Sequence, residues 1–294
     1  MSLVFVHGGV AGVQKLDPAP LAPAVAAGAA MTDAIEAVET AVRTLEDEPT
    51  LNAGYGSVLD RKGNLDLDAG LADGHSESWA GVAAIALAHP ISFARLVLEK
   101  TPHVLLAGDG AQDFAEAQGL ERLERSTPEQ HERWEKAHRG GDFDQGLFAR
   151  PEHVDTVGAL ALDDHGHVVA GSSTGGVFGK LPGRVGDAPV FGAGIYADRL
   201  VGVLGTGVGE LFLETLACLR VAMLVAQGRA VQEACEQTID VIVAKGLAGA
   251  PGRPGGMHAA GLLALDNEGN VGAAFSGATW QVEGPQGPLT PTRL

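Results

Sequence analysis

Ile35, Val38, Val42 and Leu45 recur at three- and four-residue spacing, with Glu36, Glu39 and Arg43 between them. That spacing puts one apolar stripe on a helix, and Pro49 ends it. Residues 3–6 are instead a continuous apolar run leading into His7-Gly8-Gly9, as a buried strand would leave into a tight loop. Asn52-Ala53-Gly54-Tyr55-Gly56 is rich in turn formers. Residues 57–59 and 64–68 then read as a hairpin over Arg61-Lys62-Gly63. Residues 82–88 predict a second buried strand, and Pro90 opens a helix over 91–100 that Pro102 stops.

From about 121 to 155 the pattern lapses. Residues 129–141 carry no clean apolar face, which predicts a solvated helix or a mobile linker, with Trp134 a tolerated exposed aromatic. Beyond Thr156 short apolar runs return at 157–162, 168–170, 201–204, 262–265 and 271–275. Asp163-Asp164-His165-Gly166 and Asp266-Asn267-Glu268-Gly269 read as hairpin turns. Two helical stretches, 210–226 and 231–244, lie between, the second stopping at Gly246. This grouping predicts an α+β fold, with antiparallel sheets covered by helices rather than alternating βαβ units.

Composition narrows the class. The 294 residues are 45% hydrophobic with 42 glycines, enough apolar material for a substantial core. The net charge is −17, of which −13 lies before Thr156, so the second half is the more apolar. Such an acidic chain repels phosphate backbones and argues against nucleic acid as a partner. Cys218 and Cys235 read as buried free thiols rather than as a disulfide or metal ligands. The sequence opens without the pattern of a signal peptide and holds no apolar stretch of about 18 residues, so a cytoplasmic protein without a membrane partner is expected.

An amide hydrolase without a metal or a catalytic cysteine needs a nucleophile with its own base, oxyanion donors and a charged clamp. Residues 155–210 hold candidates for each. In Asp155-Thr156-Val157-Gly158 a threonine stands between a polar stretch and an apolar strand. Freed at its N-terminus, it would carry an α-amino group with a pKa near ~7.7–8.0, a base that works at neutral pH. Left inside the chain, it is a threonine opening a strand. Ser172-Ser173-Thr174-Gly175-Gly176 reads by itself as a turn. Gly183-Arg184-Val185-Gly186-Asp187 offers a cation for an α-carboxylate and an anion for an α-ammonium, or else a local surface ion pair. Gly205-Thr206-Gly207-Val208-Gly209-Glu210 precedes a helix. It lacks the last glycine of a dinucleotide loop and the lysine of a phosphate loop, so its threonine hydroxyl and glycine N–H suit an oxyanion better.

In order and spacing, several stretches resemble the plant-type L-asparaginase / isoaspartyl peptidase family of N-terminal nucleophile hydrolases. They are Asp155-Thr156-Val157-Gly158, Ser173-Thr174-Gly175-Gly176, Lys180, Gly183-Arg184-Val185-Gly186-Asp187, Gly192-Ala193-Gly194, Tyr196-Ala197-Asp198, and Thr206-Gly207 with Gly209-Glu210. The first half agrees at His7-Gly8-Gly9, Asn52-Ala53-Gly54, Asp68-Ala69 with Asp73-Gly74, and Ala94-Arg95-Leu96-Val97 with Glu99-Lys100-Thr101-Pro102.

The resemblance implies a four-layer αββα sandwich and self-cleavage between Asp155 and Thr156. Residues 1–155 would form an α subunit ending in the 121–155 linker, and residues 156–294 a β subunit, together one structural domain. Thr156 would be the nucleophile, with Thr174 orienting it. Arg184 would bind the substrate α-carboxylate and Asp187 the α-amino group. Thr206 and Gly207 would bind substrate as the oxyanion hole, with Asn52 close by and Gly9 near the scissile bond. The implied substrates are L-asparagine or β-aspartyl (isoaspartyl) peptides. A glycosylasparaginase-like hydrolase or a non-cleaving amino-acid-binding relative are the alternatives. Asp155 is shared with glycosylasparaginases, but 206–210 departs from their Gly-Asn-Gly-Asp and favours the asparaginase branch. No cofactor is implied for catalysis. A structural sodium ion is implied on the backbone carbonyls of Leu45, Glu46, Glu48, Leu51, Ala53 and Tyr55, and so is a homodimer of (αβ) units. Between Gly9 and Ile35 the chain looks shorter than usual for the family, as though an early helix were missing.

Overall fold

The computed structural model describes residues 1–11, 20–144, 153–154, 156–250 and 255–294. Strand β1 (Leu3–Ala11) leads to helices α1 (Ala22–Ala29) and α2 (Ala34–Glu46), then β2 (Leu67–Asp73) and β3 (Ser78–Ile85). There follow α3 (Pro90–Lys100), β4 (Leu105–Ala107), α4 (Gly108–Ala117), α5 (Pro128–Gly140) and β5 (His153–Val154). After Thr156 come β6 (Val157–Leu162), β7 (Val168–Thr174), β8 (Ile195–Ala197) and β9 (Val201–Gly207). Helices α6 (Gly209–Thr215), α7 (Ala217–Ala226) and α8 (Val231–Ala248) precede β10 (Ala260–Asp266), β11 (Val271–Ser276), β12 (Thr279–Gly284), β13 (Gly287–Pro288) and β14 (Thr292–Arg293).

The architecture is mixed α/β, with two sheets. One runs β13-β12-β1-β6-β7-β2-β3-β4, with β5 also paired to β1; the other runs β14-β11-β10-β9-β8. Among the described residues only the β3–β4 and β11–β14 pairs are parallel. Because β1 lies between β6 and β12, the two halves of the chain share one sheet.

Three apolar layers follow from the sequence pattern. The α2 stripe of Val38, Val42 and Leu45 is buried with Ile91 and Val97 of α3 against Val6, Leu71 and Val157 of the first sheet. Phe5, Leu160, Ile195, Leu204, Leu263 and Trp280 fill the space between the sheets. Phe212, Val221, Ile239 and Ile242 cover Val203, Leu262 and Ala274 of the second sheet. Each such side chain contributes about 1.5–3 kcal/mol by leaving water.

Several expectations are corrected. A helix does occupy the stretch between Gly9 and Ile35: α1, with Pro23 in its first turn. The 57–68 segment is a turn rather than a paired hairpin. Asp60 Oδ1 accepts from the Lys62 and Asn64 amides at 2.7 and 2.8 Å, and the second arm joins β2, which pairs with β3 and β7. Residues 172–174 lie inside β7 rather than in a turn. Helix α8 runs through Gly246 to Ala248, with Gly249 as its cap; Gly246 is a contact point, since a Cβ there would stand 2.1 Å from the Met257 carbonyl oxygen. Trp134 is half-buried. It packs over Gly63 and stacks on His138 at 4.8 Å, while Gln130 Nε2 donates to the Gly56 carbonyl at 3.3 Å, so α5 is a docked helix.

The helix expected over 210–226 breaks at Leu216, whose φ of 47° is a left-handed conformation that costs a side-chain-bearing residue about 1–2 kcal/mol. Leu216→Gly should therefore raise stability by about 1 kcal/mol, read as a higher midpoint in urea at unchanged slope.

Candidate active site

The environment of Thr156 begins with a register fault. Strand β1 pairs with β6 so that His7 faces Gly158, which would bring Val10 opposite residue 155; Val10 instead pairs with Val154. The ladder thus slips by one residue opposite Gly8 and Gly9, as at a β-bulge, and β12 shows an irregularity at the same place on the other side. Asp155 itself lies outside the described residues, so the predicted cleavage bond is located only by Val154 and Thr156 on either side. His7 is fully buried next to this point. Burial pulls its pKa down to about 4, offset in part by the backbone of Gly8 and Thr156, so the imidazole is neutral. Its Nδ1 lies 3.0 Å from the Gly8 oxygen, while Nε2, beside Gly158, has no hydrogen-bond partner among the described residues.

A pocket of about 230 Å³ is lined by Thr156, Thr174, Gly176, Val177, Arg184, Gly186, Asp187 and Gly207. Five of the site residues read from the sequence therefore meet there. The β6–β7 ladder pairs Val157 with Ser173, so one step further brings Thr156 alongside Thr174. Both threonines are buried, and Thr174 Oγ1 accepts from the Gly176 amide at 3.0 Å.

Thr206 and Gly207 end β9. Gly207 has φ 139°, and a Cβ there would come within 2.3 Å of the Ala259 carbonyl oxygen, so only glycine fits. Thr206 is fully buried, and its Oγ1 has no hydrogen-bond partner among the described residues. A buried hydroxyl left unpaired is costly unless something else occupies its donor.

Arg184 does not pair with Asp187. Its Nε and Nη2 donate to Glu210 Oε1 at 3.1 and 3.0 Å. Nη1 lies in the space left open by Gly176 and Gly186, where Cβ atoms would stand 3.3 and 2.9 Å away. Asp187 is 4% exposed, and its Oδ2 has no partner among the described residues. Burial raises its pKa to about 7; the Arg184 charge opposes this, while Glu210 and Asp68 add to it. Such a carboxyl stores an unmet need for a cation. Glu210 was missed by the sequence reading as a functional residue. Its one signal was an acid in the first turn of a helix, 26 residues from its arginine.

Asn52 is buried but does not line the pocket. Its Nδ2 donates to the Gly176 carbonyl at 2.8 Å and its Oδ1 accepts from the Val58 amide at 2.9 Å, tying two loops together. Nearby, the carbonyls of Glu48, Leu51, Ala53 and Tyr55 each accept one hydrogen bond, and that of Leu45 accepts from the amides of Asp47 and Glu48. At Gly54, φ is 48° and a Cβ would stand 2.5 Å from the Glu46 carbonyl oxygen; at Gly56 it would stand 2.1 Å from that of Leu51. A Cβ at either glycine would collide with those carbonyls, so the loop closes this tightly only with glycine there; backbone carbonyl oxygens are the donor type that a hard cation takes. Among the described residues no cluster of His, Cys, Asp and Glu could hold a metal, and no helix is long and apolar enough to cross a membrane.

Comparison with known proteins places the chain in a family. The pattern that describes the asparaginase family matches residues 14–283. Isoaspartyl peptidase of Salmonella typhimurium is 36% identical, over 94% of this chain and 92% of its own length. Plant-type L-asparaginase of Pyrococcus abyssi is 37% identical, over 93% of each chain. N(4)-(Beta-N-acetylglucosaminyl)-L-asparaginase of Elizabethkingia miricola is 36% identical, over 82% of this chain and 70% of its own. The match over nearly all of its length shows that the chain belongs to the asparaginase family.

Proposed function

We propose that the protein is a self-cleaving amidohydrolase acting on L-asparagine and β-aspartyl peptides through Thr156. The observation that carries this is the meeting of Thr156, Thr174, Arg184, Asp187 and Gly207 in one small pocket. In the precursor, Thr156 Oγ1 attacks the Asp155 carbonyl carbon. The peptide C–N bond breaks as the ester forms, the proton passes to the new amine, and water hydrolyses the ester. Residues 1–155 and 156–294 then persist as α and β subunits of one structural domain, stacked as an αββα sandwich.

In the mature enzyme the α-amine of Thr156 takes the hydroxyl proton as Oγ1 attacks the substrate's side-chain amide carbon. Thr206 Oγ1 and the Gly207 N–H stabilise the oxyanion, which accounts for the unpaired buried hydroxyl. Arg184 Nη1 holds the α-carboxylate and Asp187 the α-ammonium. Ammonia or an amino acid leaves with the proton, and water then releases L-aspartate from the acyl-enzyme. The carbonyls of Leu45, Glu46, Glu48, Leu51, Ala53 and Tyr55 would hold a sodium ion that fixes the loop bearing Asn52. We place assembly as a homodimer of (αβ) units and a cytoplasmic location with this reading, on the family resemblance alone.

The test is to follow release from β-aspartyl dipeptides, free L-asparagine and glycosylasparagine side by side. Preference for the last would move the chain to the activity for which the Elizabethkingia relative is named. Binding of L-aspartate without turnover of any of the three would make it a non-cleaving amino-acid binder. Thr206→Val, which keeps the methyl and loses the hydroxyl, should lower kcat by about 10² while leaving KM within a few-fold.

A further inference from the structure

The loop that carries Arg184 is a thin wall. Arg184 and Gly186 line the pocket beside Thr156, whereas Pro182, Gly183 and Asp66 line an open polar depression of about 1020 Å³ on the other side. A loop that borders two open spaces has fewer packing contacts to fix it and depends more on directed hydrogen bonds. They come from the entry of β2. Asp66 Oδ2 accepts from the Gly183 amide at 2.9 Å, and Asp68 Oδ2 accepts from the Gly186 amide at 3.1 Å. The two amides bracket Arg184 and Val185. Asp68 Oδ1 accepts in addition from the amide of Ala84, at 3.1 Å, a residue held at φ 54°.

The third member is Lys180. Its side chain is buried, and its ammonium donates to the Asp66 backbone carbonyl. Burial pushes Asp68 up and Lys180 down; the charge of each opposes the shift of the other. None of the three lines the pocket, although the Lys180 ammonium lies behind Gly176, which does.

We propose that Asp66, Asp68 and Lys180 are positioning residues for the carboxylate clamp: the two carboxylates clip the backbone on either side of Arg184, and Lys180 balances their buried charge. This rests on the reading of Arg184 as the ligand of the α-carboxylate. The two aspartates are not equivalent. Asp68 spends both oxygens on N–H donors, and an asparagine has only one oxygen to offer, so Asp68→Asn turns an amide donor toward Gly186 or Ala84. Asp66 spends one side-chain oxygen, which Asp66→Asn retains.

The experiment measures KM and kcat for L-asparagine and the inhibition constant of L-aspartate, on matured protein. Asp68→Asn should raise KM and the L-aspartate constant by about tenfold or more, with kcat within about threefold and self-cleavage intact. Asp66→Asn should stay within about threefold on all counts. Asp68→Asn/Lys180→Met removes the unbalanced ammonium, so it should melt closer to the wild type yet keep the weakened binding; it carries the test if the single variant does not fold. Introduced into Arg184→Ala, Asp68→Asn should weaken L-aspartate no further, because both changes act on one contact. Two results overturn the proposal: a fall in kcat with unchanged constants, or full additivity with Arg184→Ala. If Arg184→Ala alone leaves L-aspartate binding intact, the reading of Arg184 fails instead.

Discussion

Thr156→Ala is expected to leave the 294-residue chain whole on a denaturing gel, where the parent resolves into fragments of 155 and 139 residues. Loss of one hydroxyl removes both reactions assigned to it. No oxygen remains to attack the Asp155 carbonyl, and no free α-amine is generated at residue 156. Turnover of L-asparagine should fall by about 10⁴ or more, toward the level that oxyanion donors and binding sustain by themselves. Thr156→Ser keeps the oxygen and loses only the methyl that limits χ1 rotation. It should cleave and turn over, both more slowly. Intact mass spectrometry reads the cut to the residue. A wild-type chain that stays whole, or an alanine variant that still divides after residue 155, sinks the assignment.

Why Thr156 could be found in the sequence, and other parts could not, has a physical basis. Strand β6 is a continuous apolar run bounded by a polar stretch and a hairpin turn, so its limits of 157 and 162 follow from hydrophobicity. The α2 stripe is equally clear, because one face carries all of Val38, Val42 and Leu45. The break at Leu216 leaves no such trace: tertiary packing imposes a left-handed residue where the local pattern is helical. Strand β12 does alternate, but it offers only Trp280 and Val282 as large apolar side chains, and its partner β1 lies some 270 residues away in the chain, so the local signal was slight. Within the site, residue types and spacing suggested a clamp but not its pairing. Arg184 and Asp187 stand three apart and read equally as a clamp or as a local ion pair, yet Arg184 turns to Glu210, and among the described residues Asp187 has no ion-pair partner. That choice is made by the glycines around the guanidinium and by the start of α6, which carries Glu210, and no local pattern encodes it.

The missing counter-ion predicts the pH behaviour of the enzyme. Asp187 titrates at about 7 when the pocket is empty, because burial disfavours its charge more than Arg184 favours it. Only the carboxylate attracts an α-ammonium, so kcat/KM should climb as pH rises through about 7. Asp187→Asn should remove that limb and lower kcat/KM by roughly 10³, as expected when one partner of a buried charge pair is lost. The rise due to the Thr156 amine, near ~8, should survive in the variant, which separates the two groups.

Stability must respond in the opposite direction. The folded pKa of about 7 lies above the ordinary 3.8, so between those values the native state holds a proton that the unfolded chain has released. The contribution of Asp187 is therefore complete below about pH 4, falls by about 1.4 kcal/mol per pH unit, and levels off above 7, a loss on the order of 4 kcal/mol. Asp187→Asn has no proton to lose, so from pH 5 to 8 it should fall less steeply than the wild type and melt above it at pH 8. Saturating L-aspartate should close the gap by stabilising the wild type alone, since its ammonium is the counter-ion the carboxylate lacks. Parallel melting curves for the two proteins from pH 5 to 8 would mean that Asp187 is charged throughout. It would then be no reserve for an incoming ammonium.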